Sequence, residues 1–257
     1  MNTSLRNSIK GVIKTFDPIL LDDMGSVRLM SRMDTKYVLN LARLPEILSD
    51  VASNYFILEI EGDMEQVYET QYFDSLDYAM YTCHHNRKLN RNKIRVRKYT
   101  STEEKFFEIK FKNNKGRTIK KRTRDEENNA SISENQYRFI EETTSFKNVE
   151  MKPSLKNSFT RLTLVNKDFS ERITIDYNLW FQDSDSGNET LKDEICIVEV
   201  KRGRSAEKSV FMKVLDKNRI RSMGFSKYCM GLVFTNSELK KNRFKQRVRK
   251  IDKLLKN

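Results

Sequence analysis

Charged and apolar residues alternate along several short segments of the chain. In the segment KIRVRKY, which begins at Lys93, cations occupy every second position and Ile and Val stand between them. Side chains alternate across a β-strand, so this segment presents one charged and one apolar face. The same alternation recurs in residues 107–112, 172–176 and 198–201. Four amphipathic strands are therefore predicted.

The charged faces of these strands have two interpretations. Antiparallel sheets often have one solvated face, so alternating charge by itself is typical of a surface. Four such strands, whose charges are mostly cationic yet include well-placed carboxylates, favour a barrel whose apolar faces lie outward under helices. The charges then line a basic lumen. Because unpaired buried cations are costly, such a lumen implies that a polyanion binds there.

Apolar periodicity and turn residues place the other elements. Strands are predicted at 32–39, 66–73, 92–100, 105–113, 158–166, 171–181, 194–201 and 225–235, with a further segment at 117–122. Helices are predicted at 5–21, from Leu44, after a cap at Asp74 or Ser75, at 133–145 behind a Ser133–Gln136 capping box, and at 209–221. Antiparallel strands with helices outside indicate an α+β barrel. We expect residues 1–24 to form a helix that packs on the barrel, 25–236 the barrel domain and 237–257 a basic amphipathic helix.

Composition fits one large globular domain. The 257 residues are 37% hydrophobic and include 15 Phe and 10 Tyr, too many aromatics for a disordered chain. No apolar run is long enough to cross a bilayer, and the first residues lack a signal-peptide pattern. The three cysteines form no close pair, which argues against a disulfide framework or a zinc site. We therefore expect a cytoplasmic protein.

The net charge of +13 indicates an anionic partner, but much of it lies in one segment. Residues 240–257 hold nine Lys or Arg against one Asp, a net charge of +8, which leaves about +5 for the rest of the chain. Phe244, Val248, Ile251 and Leu255 fall at helical spacing in this segment. Such a helix packs its apolar stripe on the domain, our preferred interpretation, or contacts a membrane surface or nucleic acid.

The charged strand faces offer a set of candidate phosphate ligands. Arg95 and Arg97 stand two residues apart on one face, and the guanidinium group matches phosphate oxygens bidentately. Other candidates on predicted strands or their edges are Lys36, Lys110, Arg161, Arg172, Lys201 and Lys227.

Two carboxylates, Glu199 and Glu108, stand among these cations. Each is either an ion-pair partner or a ligand for Mg²⁺ or Mn²⁺, which take one or two carboxylates and complete their shell with phosphate oxygens and water. Phosphoryl transfer suits such a site, since it needs alignment and charge neutralisation. His84 and His85 are adjacent and do not point to one metal, and no Gly-rich phosphate loop is evident.

At this point the residues resemble a known family. Seven motifs follow in order between Arg32 and Leu232: RMDTKY from Arg32, YFD from Tyr72, the KIRVRKY strand, EIK from Glu108, RITID from Arg172, EVK from Glu199 and SKY from Ser226. This order resembles VTC domains, the catalytic domains of vacuolar transporter chaperone polyphosphate polymerases, a branch of the triphosphate tunnel metalloenzymes. The resemblance implies an eight-stranded antiparallel tunnel and transfer of the γ-phosphate of ATP to a polyphosphate chain.

The resemblance also implies roles for individual residues. Phosphate-binding residues of the family match Lys36, Arg95, Arg97, Lys110, Arg161, Arg172 and Lys227, and either Arg87 or Arg91 matches a further one. Glu199 matches the metal-binding carboxylate, and with Lys36, Arg95 and Arg97 it forms the expected catalytic set. Wider members of the superfamily carry a Glu-x-Glu-x-Lys motif in the first strand. Here Arg32-x-Asp34-x-Lys36 replaces one acid with a base, which favours the polymerase-like branch.

Two alternatives to a polymerase stay open. An inorganic triphosphatase would use water as the acceptor in the same tunnel, and a polyphosphate or phosphate sensor would bind without turnover. A nucleic-acid-binding module is not expected, because the body lacks the exposed aromatics used in base stacking. The expected partners are ATP and polyphosphate or triphosphate. A membrane protein partner is a further expectation, with the domain at the cytoplasmic face of a membrane, because no pore is encoded in this chain.

Overall fold

A computed structural model of the chain describes residues 1–26, 32–126, 131–203 and 208–256. The seven α-helices of these residues are α1 (Thr3–Ile13), α2 (Leu44–Val51), α3 (Ala79–His85), α4 (Glu134–Thr143), α5 (Val210–Lys217), α6 (Lys227–Thr235) and α7 (Lys245–Leu254). The eleven strands are β1 (Asp17–Leu20), β2 (Arg32–Asn40), β3 (Tyr55–Glu59), β4 (Gln66–Ser75), β5 (Arg91–Tyr99), β6 (Lys105–Lys112), β7 (Thr118–Arg124), β8 (Met151–Asn166), β9 (Glu171–Asp183), β10 (Glu189–Lys192) and β11 (Ile195–Gly203).

Eight antiparallel strands form the main path of the sheet, in the order β2-β11-β9-β8-β4-β5-β6-β7. The three shorter strands flank this path: β3 pairs with β8, β1 pairs with β3 in parallel, and β10 pairs with β9. The α+β class and the eight antiparallel strands are confirmed. A fully closed barrel is not, because β2 and β7 have no ladder between them in the described residues. The sheet nevertheless curls, since side chains from all eight strands line one cavity.

The amphipathic strands place their apolar faces outward, under helices. On β6, Phe107 and Ile109 are buried in a cluster with Ile140 of α4. The intervening residues Glu108 and Lys110 point to the opposite face, as the alternation predicts. Helices α1, α2 and α5 cover the apolar face of β2, β9 and β11 in the same way. The hydrophobic core therefore lies between the sheet and its helices, and the concave face of the sheet carries the charged side chains.

The first predicted helix is too long. Helix α1 ends at Ile13, and residues 17–20 form β1, which pairs in parallel with β3. Pro18 explains the difference, because it lacks the N–H that a continuing helix needs but is tolerated at a sheet edge. Strands β1, β3 and β10 were not predicted.

The predicted last strand at 225–235 is wrong, because this segment forms α6. The Ser226 hydroxyl accepts a hydrogen bond from the Cys229 N–H and caps the helix. Nearly every residue of α6 is buried, and a continuous apolar run does not distinguish a strand from a buried helix. Gly231 allows the close packing, since an added Cβ would lie 2.5 Å from Leu155 and 2.7 Å from Phe181. Lys227 thus stands at the first position of a helix.

Polar caps fix two other helices. Asp74 accepts hydrogen bonds from the N–H groups of Met80 and Tyr81 at 2.8 and 2.9 Å, and from the hydroxyl of Tyr228. This carboxylate therefore joins β4, α3 and α6. The predicted capping box before α4 is present, with Ser133 at the N-cap.

The basic C-terminal helix packs its apolar stripe on the domain. Phe244 and Ile251 are buried in a cluster with residues of α6, and Val248 and Leu255 pack against it. The opposite face of α7 carries exposed Lys and Arg. Across the described ranges, none of the helices combines the length and apolarity needed to span a bilayer.

Candidate functional site

The concave face of the sheet encloses a cavity of about 910 Å³, which we call the tunnel. Twelve Lys or Arg residues line it, against three Asp or Glu residues. The alternation of β5 explains part of this set, because Lys93, Arg95 and Arg97 project from one face of that strand. The charged faces therefore line a concave cavity rather than a flat surface.

Most of the predicted site residues meet in the tunnel. Those that line it are Lys36, Arg95, Arg97, Lys110, Arg161, Arg172, Glu199, Lys201 and Lys227. Arg87, Arg91 and Glu108 are not among the lining residues. Arg87 is exposed in the turn after α3, and Arg91 begins β5. Glu108 lies behind the lining side chains and is 1% exposed.

Glu199 of β11 stands between two lysines. Lys201 Nζ lies 2.8 Å from Glu199 Oε2, and Lys36 of β2 donates to Oε1. The register places Lys36 directly opposite Glu199, and Lys201 follows two residues on along the same face. Burial opposes ionisation of Glu199, but Lys201 and Lys36 hold the pKa of this carboxyl well below its usual range. Glu199 is therefore anionic.

A second carboxylate, Asp176 of β9, holds Arg161 and Lys227. The guanidinium of Arg161 donates to both Asp176 oxygens, with Nε at 2.6 Å and Nη2 at 2.8 Å, and Lys227 donates to Oδ2. Burial opposes the charge, yet Arg161 and Lys227 keep the pKa of Asp176 below its usual range. Burial lowers the pKa of Lys227 to about 7, against the pull of Asp176.

Glu108 forms the third such cluster. Arg95 contacts Oε2 with Nε at 2.7 Å and Nη2 at 2.6 Å, and Lys120 of β7 contacts Oε1. Burial raises the pKa of Glu108, but Arg95 and Lys120 outweigh it and lower the pKa to about 2. Both oxygens of Glu108 are thus committed to ion pairs.

Arg97 has aromatic neighbours instead of a carboxylate. Its guanidinium carbon lies 5.4 Å from the Tyr68 ring centroid and 5.5 Å from that of Phe159, and Nε donates to Thr70 Oγ1 at 3.3 Å. Burial and the nearby Arg95 lower the pKa of Arg97 to about 10. The side chain is therefore held in place by packing, and no carboxylate of the described residues forms an ion pair with it.

Comparison with known families assigns this arrangement. The family model of the VTC domain matches residues 31–236, which include all eight main strands and α6. The chain belongs to the VTC domain family. The eight antiparallel strands around a basic cavity agree with the fold that the motif order predicted. None of the curated proteins matches this VTC domain.

Several solved structures share features of the chain path at low identity. HpAC1 from Hippeastrum, for which a dominant triphosphatase activity is described, has a TM-score of 0.47 and 12% identity, over 81% of this chain and 99% of that one. The PH1819 protein from Pyrococcus horikoshii gives 0.45 and 15%, over 81% and 99%. A candidate adenylate cyclase from Vibrio parahaemolyticus gives 0.45 and 9%, over 79% and 98%.

The donor set of this VTC domain suits a cation held mainly by its substrate. No group of three or more His, Cys, Asp or Glu converges in the parts of the chain that the structure describes. Mg²⁺ and Mn²⁺ commonly use one or two carboxylates and take their remaining ligands from phosphates and water. Glu199 fits that role because it faces the tunnel. Glu108 does not, because it lies behind Arg95 and Lys120.

Some tunnel residues were not among the predicted site residues. Lys93 donates to Ser226 Oγ at 2.9 Å, and burial with neighbouring cations lowers its pKa to about 8. The β5 alternation already pointed to Lys93. Asp176 likewise stood in the RITID motif without an assigned role. By contrast, β7 carries charge on both faces, so nothing in its sequence distinguished the residues that line the tunnel: Lys120, Arg122 and Arg124.

Proposed function

We propose that this VTC domain is a metal-dependent polyphosphate polymerase that transfers the γ-phosphate of ATP to a polyphosphate chain inside the tunnel. The proposal rests on the excess of cations over carboxylates in the lining of the tunnel. Buried charge without compensation is unfavourable, so such an excess supports a polyanionic ligand.

The arrangement of the ion pairs supports a linear polyanion in particular. Glu108, Asp176 and Glu199 each hold two cations, so each cluster retains a net positive charge. Lys93 and Lys110 have no carboxylate partner among the described residues. Positive charge is thus distributed along the tunnel, and a chain with one negative charge per phosphate matches that distribution better than a compact anion does.

The side chains of the tunnel supply what phosphoryl transfer needs. Such transfer depends on alignment of donor and acceptor and on neutralisation of charge on the phosphoryl oxygens. Arg95, Arg97 and Arg161 present planar guanidinium groups fixed by ion pairs or packing, so they can orient phosphates with little loss of entropy. The N-terminus of α6 adds the positive end of its dipole beside Lys227. A bound Mn²⁺ or Mg²⁺ would be held by Glu199 and phosphate oxygens and would supply further neutralisation.

The two ends of the tunnel differ in chemistry, which supports ATP as the donor. At the end where β5 turns into β6, the lining combines the aromatic side chains of Tyr99 and Phe106 with the cations Arg122 and Arg124. A nucleotide base suits such a surface. The opposite end is cationic, with Lys93 and Lys110. We infer that ATP binds with its base at the aromatic end and that the acceptor chain occupies the cationic end.

The test is product analysis after incubation with ATP and Mn²⁺ or Mg²⁺. We expect long-chain polyphosphate on a gel and none from the Glu199→Gln variant. Orthophosphate as the sole product would contradict the proposal and indicate a triphosphatase. Tight tripolyphosphate binding without any product would indicate a sensor.

A further inference from the structure

The cationic row of β5 continues beyond the tunnel. Arg97, Arg95 and Lys93 line the tunnel, and Arg91 lies two residues further along the same face. The neighbouring antiparallel strand β6 adds cations in register, because Lys93 pairs with Lys110 and Arg91 pairs with Lys112. At about 3.4 Å per residue, the row from Arg97 to Arg91 extends roughly 20 Å.

Helix α7 brings another cation to this end of the tunnel. Nη2 of Arg247 lies 3.9 Å from where a Cβ would stand on Gly224, two residues before Ser226. Ser226 accepts the hydrogen bond from Lys93, so Arg247 stands next to the tunnel end. Arg247 lies beyond the family match, which ends at residue 236. The exposed Arg87 completes the group. We call these four residues, Arg87, Arg91, Lys112 and Arg247, the cationic rim.

Within the described residues, the charges of the cationic rim are not neutralised by ion pairs. No carboxylate in the described ranges forms an ion pair with any of the four. Their mutual influence is strong: burial, with repulsion from Arg87 and Arg91, lowers the pKa of Arg247. His84 lies among them, and burial together with Lys93 and the rim lowers its pKa to about 2. His84 is therefore neutral and compensates nothing.

We propose that the cationic rim is a second polyanion site, which binds the part of a polyphosphate chain that has left the tunnel. The inference rests on the proposed function for the identity of the polyanion. Scattered solvated cations would be dispersed over the surface, whereas these four come from three separate elements and the turn after α3 and meet where the tunnel row ends. The site makes affinity depend on chain length, since only a chain longer than the tunnel reaches it.

Direct binding tests the site without requiring polymerase activity. The rim variant Arg91→Gln/Lys112→Gln/Arg247→Gln should bind long-chain polyphosphate about tenfold more weakly, as expected from the loss of three partly exposed ion pairs. Its tripolyphosphate affinity should stay within about twofold, because a short chain remains in the tunnel. The matched control Lys245→Gln/Arg249→Gln/Lys253→Gln removes equal charge from the exposed face of α7 and should bind both ligands as the parent protein does.

Three results would overturn the proposal. The first is a rim variant that binds long-chain polyphosphate as tightly as the parent protein does. Equal weakening in the control variant is another, since it would reduce the effect to net charge. The third is a rim variant that loses binding to anionic phospholipid vesicles or to RNA while its polyphosphate affinity is unchanged. If the triple variant fails to fold, the single substitution Lys112→Gln at an exposed position provides the test. It should lower the affinity for long-chain polyphosphate, by a smaller factor, and leave the affinity for tripolyphosphate unchanged. Absence of polymerase activity in the parent protein would refute the proposed function but would leave this binding test valid.

Discussion

Arg161 and Asp176 stand opposite each other on β8 and β9 and form a bidentate ion pair at 2.6 and 2.8 Å in the wall of the tunnel. Lys227 shares the same carboxylate from the start of α6. One buried anion therefore fixes the position of two cations that face the tunnel. This arrangement orients both cations, and the cluster of two cations and one carboxylate keeps a net positive charge.

Removal of this carboxylate should destabilise the protein. In Asp176→Asn, Arg161 and Lys227 would remain buried without their partner, which costs about 3–5 kcal/mol when one member of a buried pair is removed. Denaturant unfolding measures the loss. Saturating tripolyphosphate should reduce the difference in unfolding free energy between the variant and the parent protein, because phosphate oxygens replace the lost carboxylate. A variant as stable as the parent would contradict the role given to Asp176.

The charge of Arg97 should lower the stability of the free protein while it raises the affinity for tripolyphosphate. In Arg97→Met the side chain can still pack against Tyr68 and Phe159, so removal of a cation without a carboxylate partner should leave stability unchanged or raise it. Tripolyphosphate affinity should fall about 10- to 100-fold, the equivalent of a charge-assisted hydrogen bond of 1.5–3 kcal/mol. Calorimetric titration and thermal unfolding together measure both effects. Lys98→Met, on the opposite face of β5, is the control and should bind normally.

Glu199 should control metal binding rather than phosphate binding. Glu199→Gln should weaken Mn²⁺ binding to the tripolyphosphate complex at least about tenfold. Without metal, the same variant should bind tripolyphosphate at least as well as the parent, because Lys36 and Lys201 are released. Glu104→Gln is the control, because it removes another lining carboxylate, which pairs with Arg124 at the tunnel end. It should change neither the Mn²⁺ affinity nor the tripolyphosphate affinity. Equal Mn²⁺ affinity in Glu199→Gln and the parent would rule out Glu199 as the ligand.

Binding of tripolyphosphate should weaken as the pH rises above 7. Burial lowers the pKa of Lys227 to about 7 and that of Lys93 to about 8, so both lose protons in the free protein between pH 7 and 9. The anion favours the protonated lysines, so binding is coupled to proton uptake in this range. Affinity should fall by up to about tenfold per pH unit for each lysine involved. Titrations between pH 6.5 and 9 measure the slope, and a flat profile would contradict these shifts.

The sequence predicted the wall of the tunnel better than its boundaries. Strict alternation in β5, β6, β9 and β11 fixed which side chains face one another, and nine of the predicted site residues lie in the tunnel. Strand β7 was recognised only as a segment, because its consecutive charges carry no period. Helix α6 was mistaken for a strand, since burial on all sides erases the helical periodicity that would reveal it.

The features of the site that the sequence did not predict depend on contacts between residues far apart in the chain. The division of six cations among Glu108, Asp176 and Glu199 depends on strand order, which a local pattern does not contain. The position of Arg91 outside the tunnel depends on where β5 emerges from the sheet. The approach of Arg247 to Gly224 depends on how α7 docks, and no motif near either residue indicates it.

Transfer of the γ-phosphate to a polyphosphate acceptor is tested most directly by following a label. The protein is incubated with γ-labelled ATP, Mn²⁺ and an unlabelled polyphosphate acceptor of defined length, and the products are separated by size. We predict label in chains longer than the acceptor, with ADP formed in equal amount. Label found only in orthophosphate, with the acceptor unextended, would contradict the account.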